Sequence, residues 1–579
     1  MIKNDTSSRA VIARRCDMGF PADGGGFTLE NMRVLPDGSA VLRDGFVYKC
    51  TLPAAPRALL AGVGDDNGKL YAVAGDGLYL VDISSGSCQR LAGLTSATGK
   101  AALFRACGDI FLLDGSEMLR LEGGTLKPAA GYIPLYGKDW DPIQGGRINE
   151  PLNLLSRKIR IHYRADDLVH RLMTGIKLAS VDSFEYNGET IPSNGTPGWR
   201  LNSNGMRIDL DGIKTNDSVI ICATVADDVI DRSALTSCVC AAVAGDGGAA
   251  RICCYDGTDP AVVYTSLPVS ASSIDEARRV SQYSGDLYFP LDGRMTVGDG
   301  GSPVTGLAPC RDGALLFTED ETYRMTFGSS PLPSLVPSGG GTGLFAGNIP
   351  AGFAAGAGFT RNGRVYVCDK NGASSALPPE MTGNFAVGGT AACCCREAGE
   401  PWFCAPHDPA GRVAVINVRD GAASAAGYIS FFPGIYADTL FDLGSRMGFL
   451  RGRDIYVSDP AAAGDTAPSG TQGSAVTPVT GYIESPFFDF GKPGTRKRIQ
   501  FAGVDVRGGS AALSVTADTG RSAAAVYHDS VCASLIHLGV PNFAAARLNV
   551  GIFHSLRYRV SVTDTARPQI CGVTITARR

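Results

Sequence analysis

The residues with which this 579-residue chain could do chemistry include seventeen cysteines and six histidines, and their spacing decides what that chemistry is. Cys238 and Cys240 precede Cys253 and Cys254, and Cys404 precedes His407. A zinc site needs ligands paired at knuckle spacing such as C-x-x-C, which neither cluster has. Residues two apart on a strand share a face, so Cys238 and Cys240 suit core packing. Adjacent cysteines such as Cys253–Cys254 and the run Cys393, Cys394 and Cys395 point to alternate faces and are poorly placed to bridge one another. Reduced, buried thiols acting as small apolar residues account for all of them. His162 and His170 are the nearest pair of histidines in sequence, and the intervening RADDLV holds a turn, so both read as packing or solvated side chains. There is no G-x-S-x-G, H-E-x-x-H or Walker loop. No catalytic, cofactor-binding or metal-ligating residue is assigned, and no cofactor is expected.

The acids fall mostly at turns, as Asp65, Asp66, Asp76, Asp114, Asp292, Asp312 and Asp420 do. There a carboxylate serves the nearby backbone. Glu319, Asp320 and Glu321 are the densest cluster, but TEDET sits where a hairpin turns. DDNG and DLDG lack the twelve-residue loop and closing Glu of a calcium hand. Trp140 in KDWDP and Trp199 in TPGWR read as loop aromatics that offer a glycan contact, whereas Trp402 in EPWFC enters a strand. The run Arg496, Lys497, Arg498 and the ending Arg578, Arg579 read as edge-strand protection, with subunit contact or nucleic-acid passage as the functional alternatives. A net charge of −4 with 19% charged residues gives no global basic field.

The elements that must position these groups are hairpins. Seven phrases repeat one cadence of turn, apolar run, turn and apolar run: Asn67 to Asp82, Cys107 to Gly123, Ser284 to Gly300, and phrases opening at Arg311, Arg361, Glu400 and Ser445. Asp-Gly and Asn-Gly steps tolerate the positive φ that tight hairpins require. Starts roughly 30–50 residues apart bracket the spacing of propeller blades, each of which buries its apolar face only against its neighbours. With 74 glycines and 32 prolines, few stretches could hold a long helix. The fold expected is all-β: a β-propeller-like repeat array with an inserted β-sandwich and a C-terminal β-sandwich.

The Gly/Pro-rich stretch 131–156 interrupts the cadence and reads as a linker. KIRIHYR, LASVDSFEYNGETI with its Asn187–Gly188 turn, MRIDLDG and SVIICATV then alternate as half-buried strands. The expected domains are 1–145, the first part of the propeller; 146–232, the inserted sandwich; 233–478, the second part of the propeller with a flexible linker at 461–477; and 479–579, the C-terminal sandwich. The opening MIKNDTSSRAVIARR lacks the apolar core of a signal peptide, and no apolar run approaches the roughly 20 residues that span a bilayer. Folding in a cytoplasm is the expectation.

The phrase ENMRVLPDGSAVLRDGFVY, with Asn31, Met32, Asp37, Gly38, Arg43, Asp44 and Gly45, resembles the start of bacteriophage tail nozzle, or tail tubular B, proteins. Asp44 stands where that family commonly has proline. The runs from Ala241, from Pro260 and from Leu287 to Met325, and a sandwich inserted after an N-L-L-S step at Asn153 to Ser156, are similar to tail-region proteins in prophages of gut bacteria. The resemblance implies a non-enzymatic structural component of a virion tail, assembled in the host cytoplasm. It further implies a homo-oligomer, hexameric in the nozzle case, in a ring around the DNA exit channel. Other tail or neck proteins, and DNA in transit, would be its partners. A different reading is a receptor- or glycan-binding propeller module at the tail tip or cell surface, using Trp140 or Trp199. A propeller glycosidase would need acids converging on one axial face.

Overall fold

The computed structural model describes residues 8–12, 27–35, 39–62, 66–164, 168–213, 217–246, 250–268, 287–327, 332–353, 356–376, 393–397, 400–405, 411–417, 429–444, 446–462, 464–466, 476–488, 494–518, 525–529, 542–546, 552–563 and 565–578. The fold is all-β, a propeller carrying two β-sandwiches. Its hairpins turn where the sequence places positive-φ dipeptides. Asn187 and Gly188 have φ of 50° and 87°, and Asn362 and Gly363 have φ of 50° and 70°; each pair joins two antiparallel strands.

Among the described residues seven four-stranded blades form the ring, six as separate sheets and one as the first four strands of a nine-stranded sheet. In chain order they occupy residues 56–93, 102–128, 240–296, 306–337, 351–376, 393–432 and 439–459. The first strand of each blade lies beside the first strand of the next, and that of the seventh, Thr439–Asp442, returns to Pro56–Ala61 of the first. The seventh blade has only three strands from its own stretch of chain. Its fourth is Gly45–Thr51, which pairs antiparallel with Asp454–Asp459 and so closes the ring with the N-terminal segment.

Between blades 2 and 3 lies the inserted sandwich. Its larger sheet runs Leu135–Trp140, Lys158–Arg164, Ser218–Val225, Leu178–Tyr186, Glu189–Thr190, and its smaller one Val169–Met173, Arg207–Ile213, Trp199–Leu201. Strict alternation along Ser218–Val225 turns Val219, Ile221, Ala223 and Val225 inward. The stretch expected to be a linker contributes a strand, Leu135–Trp140, parallel to Lys158–Arg164. Gly137 is required there, because a Cβ would stand 2.6 Å from the Trp140 ring. Asn153, fully buried, donates to the carbonyls of Tyr132 and Leu287 (both 2.9 Å) and accepts from the N–H groups of Leu155 and Phe289 (both 3.0 Å). The N-L-L-S step is thus a fully satisfied polar anchor. It also explains why the described part of the phrase at 284–300, from Leu287 on, is not a hairpin. Leu287 and Phe289 are tied to Asn153 and packed into the sandwich core, and only Arg294–Thr296 joins a blade.

The C-terminal sandwich is built from both ends of the chain. Thr28–Glu30 pairs parallel with Ile429–Phe432 of blade 6 and antiparallel with Gly481–Glu484, so blade 6 runs without a break into a sandwich sheet. Met32–Val34 and Ala40–Leu42 join the opposite sheet beside Gln569–Arg578. Residues 28–42 therefore belong to this sandwich rather than to the propeller. One core unites Leu29, Met32, Phe46, Phe432, Phe449 and Phe553, drawn from the N-terminal strands, blades 6 and 7 and the sandwich.

At that junction sits Arg43, 2% exposed. Its guanidinium donates twice to Asp465 (2.8 and 2.6 Å), to Asn31 Oδ1 (2.7 Å) and to the Asp44 carbonyl (2.8 Å). It lies over the rings of Phe46 and Phe432, at 5.0 and 5.4 Å from their centroids. Asp44 in turn pairs with Arg33 (3.1 Å) and Arg567 (2.7 Å). Asp465 also accepts the Phe46 N–H (2.8 Å). Gly464–Thr466 is a strand paired with Val476–Pro478, so both ends of the expected flexible linker are structured; residues 467–475 lie outside the described residues. Gly45 permits this approach, since a Cβ there would meet the Gly464 carbonyl oxygen at 2.2 Å.

Arg43→Ala empties a buried site and removes the guanidinium from Asn31 and from Asp465, which is a third exposed and keeps the Phe46 N–H, and is expected to cost about 1–3 kcal/mol. Chemical denaturation should show it, with Lys69→Ala, at a partly solvated pair, as the mild control. A second expectation concerns pH. Asp66 joins blades 1 and 2 through Arg105 (2.8 Å) and Lys69 (2.9 Å), hydrogen bonds that hold its carboxyl down to about 2. A depressed carboxylate stabilises above its unfolded value near 4 and loses that contribution as pH falls towards 2. The pair is partly solvated, so the contribution is about 0.5 kcal/mol. The stability gap between wild type and Asp66→Asn should close over that acid interval and stay constant from pH 5 to 8.

Candidate functional site

The inserted sandwich carries the groups that come closest to a site. Trp199 opens the strand Trp199–Leu201, stacks on Phe184 with ring centroids 5.4 Å apart, and donates its indole N–H to the Ile191 carbonyl (2.9 Å). It remains partly exposed. With Asn194, Arg200, Asp209 and Asp211 it lines an open cleft of about 420 Å³. Asp211 accepts the Gly198 N–H (2.9 Å) and Arg207 pairs with Asp209 (2.7 Å), so the rim carboxylates are already oriented. A partly exposed aromatic beside fixed carboxylates and an amide suits a polyhydroxylated ligand, whose faces are apolar and whose edges hydrogen-bond.

Trp140 is not a surface aromatic. It is 3% exposed, at the end of a strand, between Tyr136 and Tyr163, and donates to the Arg147 carbonyl (2.9 Å). Its KDWDP setting reads as a loop because Asp139 adopts φ of 50° at an irregularity in the strand pairing, which turns the indole inward. The side chain of Trp402 lies outside the described residues.

Sequence spacing gave no hint of a second grouping on the outer face of the same sandwich. His162 donates from Nδ1 to Asp139 (2.9 Å) while its Nε2 accepts the Ser218 hydroxyl (2.8 Å), in the tautomer that satisfies both contacts. Asp139, His162 and Ser218 come from three neighbouring strands, and only the alternation placing His162 and Ser218 outward could have suggested it. The order matches a serine–histidine–aspartate relay. However, the Ser218 N–H, a natural oxyanion donor, is committed to Asn187 Oδ1 (2.9 Å), and none of the three residues lines the cleft. The trio cross-braces the sheet. His170 lies in the smaller sheet, so the two histidines are not brought together.

The other candidates resolve into packing. Cys238, Cys253 and Cys254 are fully buried, and burial pushes the Cys238 and Cys253 thiols up to about 12 and Cys254 upward as well. Among the described residues no group of three or more His, Cys, Asp or Glu is placed to hold a metal. The Cys404 side chain and His407 lie outside them. Glu319 and Asp320 are solvated turn residues, while Glu321 accepts the Tyr323 hydroxyl. Lys497 corrects the edge-strand reading. It is buried and donates to the carbonyls of Thr495 (3.0 Å) and His554 (3.1 Å), and the strand it precedes, Arg498–Arg507, lies inside its sheet. Arg496 and Arg498 are exposed; Arg579 and the side chain of Arg578 lie outside the described residues. Among the described residues no helix is long and apolar enough to cross a membrane.

No protein-family model matches the chain, and no curated protein matches it. Solved structures align with the chain at low identity. A structure of BBS1N in complex with ARL6DN aligns at 9% identity and a TM-score of 0.37, covering 74% of this chain and 99% of that one. A chain of a mitotic checkpoint complex aligns at 8% identity and a TM-score of 0.32, covering 70% and 94%. The AfRom2 CNH domain aligns at 7% identity and a TM-score of 0.32, covering 72% and 98%. Likeness this low carries no functional argument.

The two tryptophans should separate cleanly. Trp140→Ala empties a core position and is expected to destabilise the inserted sandwich by about 3–5 kcal/mol. Trp199→Ala, at a partly exposed ring, should cost about 1–2 kcal/mol and leave the fold intact by circular dichroism.

Proposed function

We propose that this chain is a non-enzymatic structural component of a bacteriophage tail, nozzle-like, that self-associates into a ring around the DNA exit channel and contacts other tail proteins. The observation that carries this reading is the place of the resemblance-bearing residues. Asn31, Arg43, Asp44 and Gly45 lie together where ring and C-terminal sandwich meet, and Asn153 anchors the inserted sandwich. The motif is thus tied to architecture rather than to catalysis, as a scaffold protein requires. Asp44, in the position where the tail family commonly has proline, forms ion pairs with Arg33 and Arg567 that a proline could not make. Rings closed by heterologous contacts need complementary faces and no sequence motif at the interface.

The Trp199 cleft favours a second reading, in which the inserted sandwich holds a surface glycan of the host. Purified particles decide the first: the chain should occur at a fixed multiple of the other tail subunits, with antibody label confined to tail or neck, and unlabelled particles would discard the proposal. Binding of the isolated chain to host polysaccharide, lost in Trp199→Ala, would instead support the second.

A further inference from the structure

The ring closes at the seam between its seventh and first blades, and two cysteines face each other across that seam. Cys50 is on the closing strand Gly45–Thr51 and is buried; Cys88 is on Ser87–Gly93, the outermost strand of blade 1, and is exposed. The two strands come within 8 Å between Cα atoms. The turn entering Ser87–Gly93 is pressed onto the closing strand. Gly86, at φ of 72°, leaves so little room that a Cβ would stand 2.7 Å from the Lys49 carbonyl oxygen. One residue beyond Lys49 and two beyond Gly86, Cys50 and Cys88 lie near enough for each thiol to be felt by the other. Each strand is pinned by its own blade, Cys50 opposite Ile455 and Cys88 opposite Val81, so the pair is held in place by two independent ladders.

We infer that Cys50 and Cys88 are a disulfide site that covalently fastens the closing strand to the outermost strand of blade 1. The thiols are free in the reduced chain. A low-molecular-weight disulfide such as oxidised glutathione supplies the oxidant. The exposed Cys88 thiolate attacks one of its sulfurs and releases one glutathione thiolate; Cys50, as thiolate, then attacks Cys88 Sγ and expels the second. The balance is two protein thiols oxidised to one disulfide and one glutathione disulfide reduced to two thiols. Burial pushes the Cys50 thiol up to about 12, so the second step is slow at neutral pH and accelerates as pH rises. The bond would tie the closing strand, which the chain already joins to the first strand of blade 1 through residues 52–55, to the outermost strand of that blade, a link the hydrogen-bond ladders do not make. It would be absent in a reducing cytoplasm and form once the protein leaves it. The inference is independent of what the chain assembles with.

The test uses the full chain, reduced, desalted and incubated with excess oxidised glutathione at pH 7 and pH 9, then alkylated under denaturing conditions. Non-reducing peptide mapping should show one cross-linked species joining the Cys50 and Cys88 peptides, forming faster at pH 9. A rise in Tm of several degrees should accompany it, reversed by dithiothreitol and absent in Cys88→Ser. Cys88→Ser changes an exposed residue and should fold; in it, Cys50 should remain fully alkylated. Persistent glutathionylation of Cys88 with Cys50 still free, or a cross-link joining either residue to a different cysteine, would overturn the inference.

Discussion

The structure depends on a buried guanidinium. Arg43 is reached by the N-terminal segment just as it leaves the C-terminal sandwich and enters the propeller, and its partner Asp465 lies on the segment that leaves the propeller for the sandwich. Two crossings of one boundary are thereby tied at one point. Taking a cation out of water is costly unless its donors are met, and here two carboxylate oxygens, an amide oxygen and a backbone carbonyl meet them while Phe46 and Phe432 cover it. An apolar side chain could fill the volume, but it could not choose Asp465 over the other polar residues of a glycine- and serine-rich stretch.

Around that point the molecule has few internal boundaries. The inserted sandwich shares a core with blades 2 and 3, one that includes Phe104 and Tyr264 of the blades and Tyr163 and Phe184 of the sandwich. The C-terminal sandwich shares a core with blades 6 and 7. Appended domains more often sit behind polar interfaces that permit relative motion. Here the backbone ladder of blade 6 continues through Leu29, opposite Ser430 on one side and Ile483 on the other, so one sheet belongs to both bodies.

Much of this was legible in the chain because hairpins announce themselves locally. Asn362–Gly363 needs positive φ, and those residues supply it wherever they occur. The segment at Leu287–Pro290 has the same apolar texture as a blade strand, yet its residues are claimed by Asn153, which stands far earlier in the chain; local pattern holds no record of that partner. Asp465 was hidden for the opposite reason: small polar neighbours read as a linker, and its role exists only through Arg43. Trp140 and Trp199 look alike in sequence, each beside glycine or proline, and only the pleat distinguishes the core ring from the one at the cleft. Asp139, His162 and Ser218 meet through strand register, which spacing along the chain does not encode.

The closing strand has a consequence in time. Residues 45–51 leave the ribosome early, but their ladder partner, Asp454–Asp459, follows about four hundred residues later, and Arg43 waits 422 residues for Asp465. At roughly 5–20 residues per second, the first strand of the seam stays without its partner for on the order of 20–80 seconds of synthesis. For that interval an apolar strand edge is open to any other nascent copy on the same message, and pairing between chains competes with pairing within one. The ring is therefore a structure whose yield is set by the late arrival of residues 454–465 rather than by the stability of its blades.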